Sequence, residues 1–470
     1  MQKIVFGTDG WRGLLDSELN LENIRRVAQA FSVYIRRKAE NGKVAVAFDG
    51  RRNSGLFALE FGKVLMANGI EAFLSQGVVP TPVLSFFTRE NACTAGVMIT
   101  ASHNPPEYNG LKFKSANGAP FSTEETAIIE SLIDMEPPAV TDQNPAQTDF
   151  LPPYIKHLEE TIDFKVIRNA GLSVLIDSMG GAGMNLMADI CFWNQVYCDS
   201  IFSSPETDFA GRTPEPIEKN LAPLSEALKF GQYSIGFATD GDADRLGVMD
   251  EKGRWVNIQE VILYLAEFMV QKFGARGGVV KTSSVTDKIL SLRSEGQAVK
   301  VHDAQVGFKY VSEAMVEHAA VFGAEESGGF GFFNHLPDRD GIFSAFIVLQ
   351  MLAESGEKTL SAFLEKKRKE FGLIFYDRID MHTNNTERHN VLPVLEKDPP
   401  QNLAGFPVRA VKSFKSSRGL INGLKFHLEG QPRWLLLRVS ETEPMVRIYA
   451  EAESMDEVRQ LLAEGKRLFE

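Results

Sequence analysis

Apolar positions in the early part of the chain recur in two alternating periods. Ile24, Val27, Ala28, Phe31 and Ile35 fall at helical spacing behind a candidate cap at Asn20, with Arg25, Arg26, Arg36 and Arg37 on the opposite face, which predicts an amphipathic helix. Val44 to Phe48 reads as a strand ending at Asp49-Gly50, a helix from about Ser54 stops at Asn68-Gly69, and Ile70 to Leu74 reads as a second strand. The short β-branched run Gly96-Val97-Met98-Ile99 predicts another, buried strand. This strand–helix–strand rhythm implies a largely parallel sheet covered by helices. Ser122-Thr123-Glu124-Glu125 is a capping box opening the next helix.

Between Glu136 and Pro153 the sequence turns to Pro, Gln, Asn, Thr and Asp, the composition of a linker, and the first boundary falls there. A second α/β segment follows: strand Leu172 to Ile176, a helix after Gly180-Gly181-Ala182-Gly183, and strand Ser234 to Ala238. The third begins near Asn257 with helix Ile258 to Phe273, strand Gly278 to Lys281, helix Thr286 to Glu295, strand Val299 to His302 and a helix from Phe308. From about Phe371 the character shifts. Trp434 to Val439 and Val446 to Ala452 read as strands, and Ser454-Met455-Asp456-Glu457 caps a closing helix. The expected domains are 1–150, 151–256, 257–371 and 372–470.

Composition narrows the function. At 470 residues the chain is too long for one core, since domains run to roughly 100–200 residues. With 44% hydrophobic and 24% charged residues it is ordinary globular material. A net charge of −12 argues against general nucleic-acid binding. An anionic small substrate would need local basic residues, for which Arg12, Lys112, Arg245, Lys309 and Arg438 are candidates. Cys93, Cys191 and Cys198 lack metal-like spacing, so no zinc site is expected. The N-terminus shows no secretory h-region, and the longest apolar segment, Ile342 to Leu352, is broken by Ser344 and Gln350 and falls short of the roughly 20 residues a bilayer span needs. The expectation is a soluble cytoplasmic protein without membrane attachment.

Several stretches carry chemistry. In Thr100-Ala101-Ser102-His103-Asn104-Pro105-Pro106-Glu107-Tyr108-Asn109-Gly110-Leu111-Lys112, Ser102 sits beyond the carboxyl end of a strand, where open α/β sheets place ligands. A serine hydroxyl needs a base, a metal or prior modification to react, and His103 and Lys112 are at hand; a plain turn is the alternative. Asp240, Asp242 and Asp244 supply three hard oxygen ligands of the kind Mg²⁺ prefers. The spacing from Asp240 to Glu251 mimics a calcium loop, but Arg245 stands where that loop requires glycine. An Asp-x-Asp phosphatase nucleophile and a solvated acidic turn stay open. Gly180 to Gly183 fits neither dinucleotide nor P-loop spacing and reads as a tight strand-to-helix turn. Arg438, Ser440 and Thr442 offer a guanidinium, two hydroxyls and backbone amides able to clasp phosphate.

The Thr100–Lys112 stretch resembles the serine loop of the α-D-phosphohexomutase superfamily. Asp240-Gly241-Asp242-Ala243-Asp244-Arg245, Gly323-Ala324-Glu325-Glu326-Ser327-Gly328-Gly329 and Arg438-Val439-Ser440-Glu441-Thr442-Glu443-Pro444 resemble three further motifs of that family, in the same order, so the likeness spans the chain. It implies three tandem α/β domains with mixed, largely parallel sheets around a central cleft, plus a smaller, mobile C-terminal α+β domain. It also implies a phosphate carried on Ser102, Mg²⁺ held by that phosphoserine with Asp240, Asp242 and Asp244, and Lys112 and Arg12, with His103, around the reacting groups. Glu325 and Ser327 would bind sugar hydroxyls; Arg245, Lys309, Arg438, Ser440 and Thr442 would contact the phosphosugar. The implied reaction interconverts glucose 1-phosphate and glucose 6-phosphate through glucose 1,6-bisphosphate, in a monomer or homodimer. A mannose-specific or dual-specificity mutase, an aspartate-nucleophile phosphatase and a silent sugar-phosphate binder are the alternatives. Gly329 stands where mannose and glucosamine branches often have His, and Glu441 where the family usually has Gly or Asn.

Overall fold

Asn20 accepts a hydrogen bond from the Asn23 amide and starts the helix Leu21–Lys38, which lays Ile24, Val27, Phe31 and Ile35 into the first core. Phe31 stacks on Phe113 at 4.5 Å and meets Phe61 edge-on at 5.6 Å, and each buried ring contributes about 1.5–3 kcal/mol through the surface it removes from water. Arg26 departs from the expected polar face. It is 6% exposed, and its guanidinium grips the Asp134 carboxylate at 2.6 and 2.7 Å.

The computed structural model describes residues 3–7, 9–383, 388–416, 419–440 and 445–469. The chain forms two compact units, one of Met1–Ile258 with Ser327–Lys366, the other of Gln259–Glu326 with Lys367–Glu470. In the first unit a six-stranded sheet has the order Trp11–Leu14, Tyr108–Ser115, Ala95–Ile99, Lys43–Phe48, Glu71–Ser75, Ala146–Thr148. The strands from Ala95–Ile99 onward pair in parallel, and the first two are antiparallel additions. A four-stranded sheet follows, ordered Leu246–Asp250, Ile235–Thr239, Ser173–Asp177, Tyr197–Ile201, with only its first pair antiparallel.

The stretch read as a linker is partly structured. Ala146–Thr148 extends the first sheet, and the helix Leu151–Thr161 opens on prolines in its first turn, where a missing N–H costs nothing. The capping box at Ser122 and Glu125 is formed and starts the helix Thr123–Leu132. The apolar run near Ile342 is the buried helix Gly341–Ser355. Among the described residues no helix is long and apolar enough to cross a membrane.

In the second unit, Val301–Ala304, Val279–Thr282 and Phe322–Glu325 pair in parallel, and helix Phe308–His318 packs against them. The helix expected from Thr286 to Glu295 does not form. Asp287–Ser291 is a 3₁₀ turn, and Arg293–Ser294 pairs with Gln297–Ala298 around Glu295 and Gly296, both at positive φ. Polar contacts override the helical pattern here: Thr286 and the Asp287 amide both bond to Glu451, and Asp287 takes Lys281 at 2.9 Å and Lys425 at 3.0 Å. The C-terminal sheet is antiparallel, ordered Phe375–His382, Met445–Ala452, Trp434–Val439, Ile421–Leu428, Phe406–Lys415, Asn402–Leu403. Helix Met455–Arg467, capped by Ser454, closes its apolar face. The chain is thus a series of α/β layers followed by a smaller α+β layer.

Candidate active site

Ser102 lies just past strand Ala95–Ile99, fully buried, with φ at 53°. The Thr100 hydroxyl accepts from its amide at 2.8 Å. Its Oγ donates to Asp240 Oδ2 at 2.8 Å and lies 3.4 Å from His103 Nδ1. The acidic residues occupy the turn between strands Ile235–Thr239 and Leu246–Asp250. That turn closes on itself, because Asp240 Oδ1 accepts from the amides of Asp244 and Arg245 at 3.0 and 3.1 Å. Glycine is required at 241, since a Cβ there would sit 2.4 Å from Ser102 O. The Gly180–Gly183 turn packs behind the same loop: Ala182 N donates to Gly241 O at 2.9 Å, and a Cβ on Gly181 would meet Asp240 O at 3.0 Å. It is a packing turn.

Lys112 is no surface lysine. It is 1% exposed on strand Tyr108–Ser115, and its Nζ lies 2.8 Å from both Asp242 Oδ2 and Asp244 Oδ2 and 3.2 Å from Asp9 Oδ2. Burial alone would discharge it, but Asp242, Asp244 and Asp9 hold its pKa above the ordinary lysine value. Burial and repulsion from Asp244 and Asp242 raise Asp240 well above the carboxylate range. Burial pushes Asp242 the same way, yet Lys112 and the Thr81 hydroxyl win and hold it low. His103 is driven well below its usual pKa by burial and by Arg245, Arg12, Lys112 and Arg339, which favours the neutral imidazole. Arg12, on the edge strand, donates to Asn104 Oδ1 at 2.6 Å, and Arg245 lies 3.8 Å from Glu215.

The ligand atoms of Asp240, Asp242 and Asp244 lie within 4.8 Å of one another, and all three residues are buried. Asp242 Oδ1 and Asp244 Oδ1 have no hydrogen-bond partner among the described residues. Buried carboxylate oxygens without partners, in a set made only of hard oxygens, fit an oxygen-seeking divalent cation such as Mg²⁺.

The remaining expected residues lie on other elements. Glu325 ends strand Phe322–Glu325 and is 4% exposed; Lys309 lies in helix Phe308–His318 with its Nζ 4.9 Å from the Tyr310 ring. Arg438 pairs across the sheet with Arg447 and Gly423, and Ser440 N donates to Met445 O at 3.0 Å. These four belong to the second unit, while Ser327 begins the second segment of the first. Glu441 and Thr442 lie outside the described residues.

Sequence reading missed several members. Asp9 is held well below the carboxylate range, against the effect of its burial, by Lys112 and Arg339. Arg339 reaches both Asp9 and Asp244, the latter at 2.7 Å, and the Thr81 hydroxyl donates to Asp242. The signals available were faint: an Asp9-Gly10 pair near the N-terminus, and a charged run at Asp338-Arg339-Asp340 before an apolar stretch.

Comparisons with known proteins place the whole chain in one family. The chain matches the phosphoglucomutase/phosphomannomutase alpha/beta/alpha domain I over residues 3–139, domain II over 152–253, domain III over 258–371 and the C-terminal domain over 394–467. It is 29% identical over 473 residues to a phosphoglucomutase/phosphomannomutase of Thermococcus kodakarensis, covering 99% of this chain and 98% of that one. It is 30% identical over 478 residues to a phosphoglucosamine mutase of Methanocaldococcus jannaschii, covering 99% and 98%. A crystal structure from Thermus thermophilus assigned as a phosphomannomutase superposes with a TM-score of 0.85 at 33% identity, covering 99% of each chain. The chain therefore belongs to the phosphoglucomutase/phosphomannomutase family of the α-D-phosphohexomutase superfamily, and is a mutase that moves a phosphoryl group within a hexose phosphate.

Proposed function

We propose that this mutase interconverts glucose 1-phosphate and glucose 6-phosphate, with Ser102 as the phosphoryl carrier and hexose 1,6-bisphosphate as the intermediate. The observation that carries the reading is the buried Ser102 Oγ bonded at 2.8 Å to the first residue of the acidic triplet. In the forward step the Ser102 O–P bond breaks and a new P–O bond forms to a sugar hydroxyl, whose proton leaves to a base. After the bisphosphate turns over, its other phosphate passes back to Ser102 Oγ. Asp240, Asp242 and Asp244 with phosphoserine 102 would hold Mg²⁺, which when bound supplies positive charge to the phosphoryl oxygens.

The charged Lys112 suits electrostatic stabilisation of the transferring group. Neutral His103, 3.4 Å from Ser102 Oγ, is the better proton acceptor. Arg12 and Arg245 supply further positive charge to the sugar phosphate. Glu325 and Ser327 take sugar hydroxyls, and Lys309, Arg438, Ser440 and Thr442 take the phosphate distant from Ser102. In this reading the segments 1–150, 151–256, 257–371 and 372–470 carry in turn the serine, metal, sugar and phosphate loops of a cytoplasmic enzyme.

The Glu325-Glu326-Ser327-Gly328-Gly329 form supports glucose. Relatives named phosphoglucosamine mutase and phosphoglucomutase/phosphomannomutase supply the competing substrates. Catalytic efficiency is to be compared on glucose, mannose and glucosamine 1-phosphates with Mg²⁺ and glucose 1,6-bisphosphate present. Glucose 1-phosphate is expected to lead; a preference of about tenfold or more for either competitor, a difference of about 1.4 kcal/mol in transition-state binding, overturns the choice.

A further inference from the structure

Arg51 lies outside the motifs that carry the family likeness, yet its guanidinium is wrapped by the serine loop. Nη2 donates to Ser102 O and Asn104 O, both at 2.6 Å; Nη1 donates to Pro105 O at 2.8 Å and Tyr108 O at 3.0 Å. Nε lies 3.2 Å from Asp49 Oδ2, and the arginine and aspartate side chains are both 0% exposed. The Phe209 ring covers the guanidinium at 4.6 Å. Asp49 is itself fixed, accepting from the Arg51 amide at 3.0 Å and from Ser54 Oγ at 2.7 Å.

The loop needs such a restraint. Ser102 has φ at 53°, a left-handed conformation that is unfavourable for a residue with a Cβ. Four of the guanidinium's five N–H groups go to carbonyls between residues 102 and 108. Gly241 closes the other side of the Ser102 carbonyl.

The geometry points to Arg51 as the positioning residue of the phosphoryl carrier: by spanning four carbonyls of the serine loop it fixes the left-handed backbone that aims Ser102 Oγ at Asp240. The inference rests on the reading of Ser102 as carrier. Arg51 touches no reacting atom. It acts through the loop, so both directions of transfer through the same oxygen depend on it, whereas affinity for the sugar phosphate does not. Lysine keeps the charge but places its donors on one nitrogen, which cannot span carbonyls spread over seven residues.

The test is R51K, loaded from glucose 1,6-bisphosphate and followed by steady-state kinetics, ³¹P NMR of the protein-bound phosphate and thermal unfolding. A carrier displaced by about 1 Å loses about 100-fold in rate, so kcat is expected to fall by about that factor. KM is expected to stay within about threefold, and the phosphoserine resonance to shift and broaden. A lowered Tm with kcat and the resonance unchanged makes Arg51 a stabilising residue only and overturns the inference. If R51K does not fold, F209L decides: it keeps the hydrogen bonds but removes the covering ring, so kcat should fall about threefold to tenfold at constant KM, and an unchanged kcat is contrary. Absence of phosphate on Ser102 in the wild-type protein sinks the underlying reading instead, and peptide mapping separates that failure from this one.

Discussion

Ser102 Oγ donates a hydrogen bond to Asp240 Oδ2 at 2.8 Å across 138 positions of sequence. The bond places the hydroxyl at the mouth of the acidic turn, and Asp240 also closes that turn through the Asp244 and Arg245 amides. Asp240→Asn keeps the shape but removes a carboxylate oxygen of the kind a hard cation takes. It should lower kcat by about 10²–10³-fold with a smaller change in KM, as expected for an interaction used mainly in the transition state; an unchanged kcat in the mutase assay would remove Asp240 from the site.

Lys112 stands as the resident cation among Asp9, Asp242 and Asp244. Removing one partner of a buried ion pair costs about 3–5 kcal/mol because the remaining charges stay buried. Lys112→Met should therefore be strongly destabilised without metal, and added Mg²⁺ should raise its Tm more than that of the wild type, since the cation then answers charges that lysine no longer does. Equal Mg²⁺-induced shifts in the two proteins count against a divalent site at the triplet. Chelation should abolish wild-type activity reversibly.

His157 stacks on His335 at 5.1 Å and meets Phe86 at a tilt at 4.7 Å. Burial and the neighbouring His335 and Arg89 push its pKa down to about 4. A histidine whose folded pKa is depressed contributes stability that is whole above its unfolded pKa of about 6.5 and is lost as pH falls through its folded value. Allowing for partial exposure, the loss between pH 6.5 and 4 should be about 1–2 kcal/mol relative to His157→Phe. Denaturant midpoints of both proteins across that window check it, and parallel curves would refute the assignment.

Asp340 caps helix Gly341–Ser355 through the Phe343 amide at 2.8 Å and also receives Tyr154 OH at 2.8 Å and His335 Nε2 at 2.7 Å. The preceding residue, Arg339, reaches Asp9 and Asp244. Asp340→Ala orphans these donors and should cost about 3–5 kcal/mol. In the surviving folded fraction it should also weaken catalysis, by freeing Arg339. A loss below about 1 kcal/mol, the scale of a single exposed cap, contradicts this.

Most strands and helices were legible because their periods are local properties of the chain, and the helices at Leu21–Lys38 and Ile258–Phe273 begin where their patterns begin. The serine loop and acidic triplet were legible for the same reason: each packs its chemistry into a few consecutive residues. What sequence could not show were partners brought in from afar. Arg51, Arg339 and Thr81 each reach the site from another element, and no spacing rule links them to Ser102 or Asp242. The lost helix after Thr286 fails likewise, because Glu451 claims its first residues from a distant strand. Arg26, polar by type yet buried, shows that a helix face is decided by the partner available, here Asp134.

The most direct measurement is intact-mass analysis and peptide mapping of the purified protein after incubation with glucose 1,6-bisphosphate and Mg²⁺. A single added phosphate on the peptide containing Ser102, removed again on addition of glucose 1-phosphate, is the predicted result. Phosphate found elsewhere, or turnover that persists in Ser102→Ala, would contradict the account.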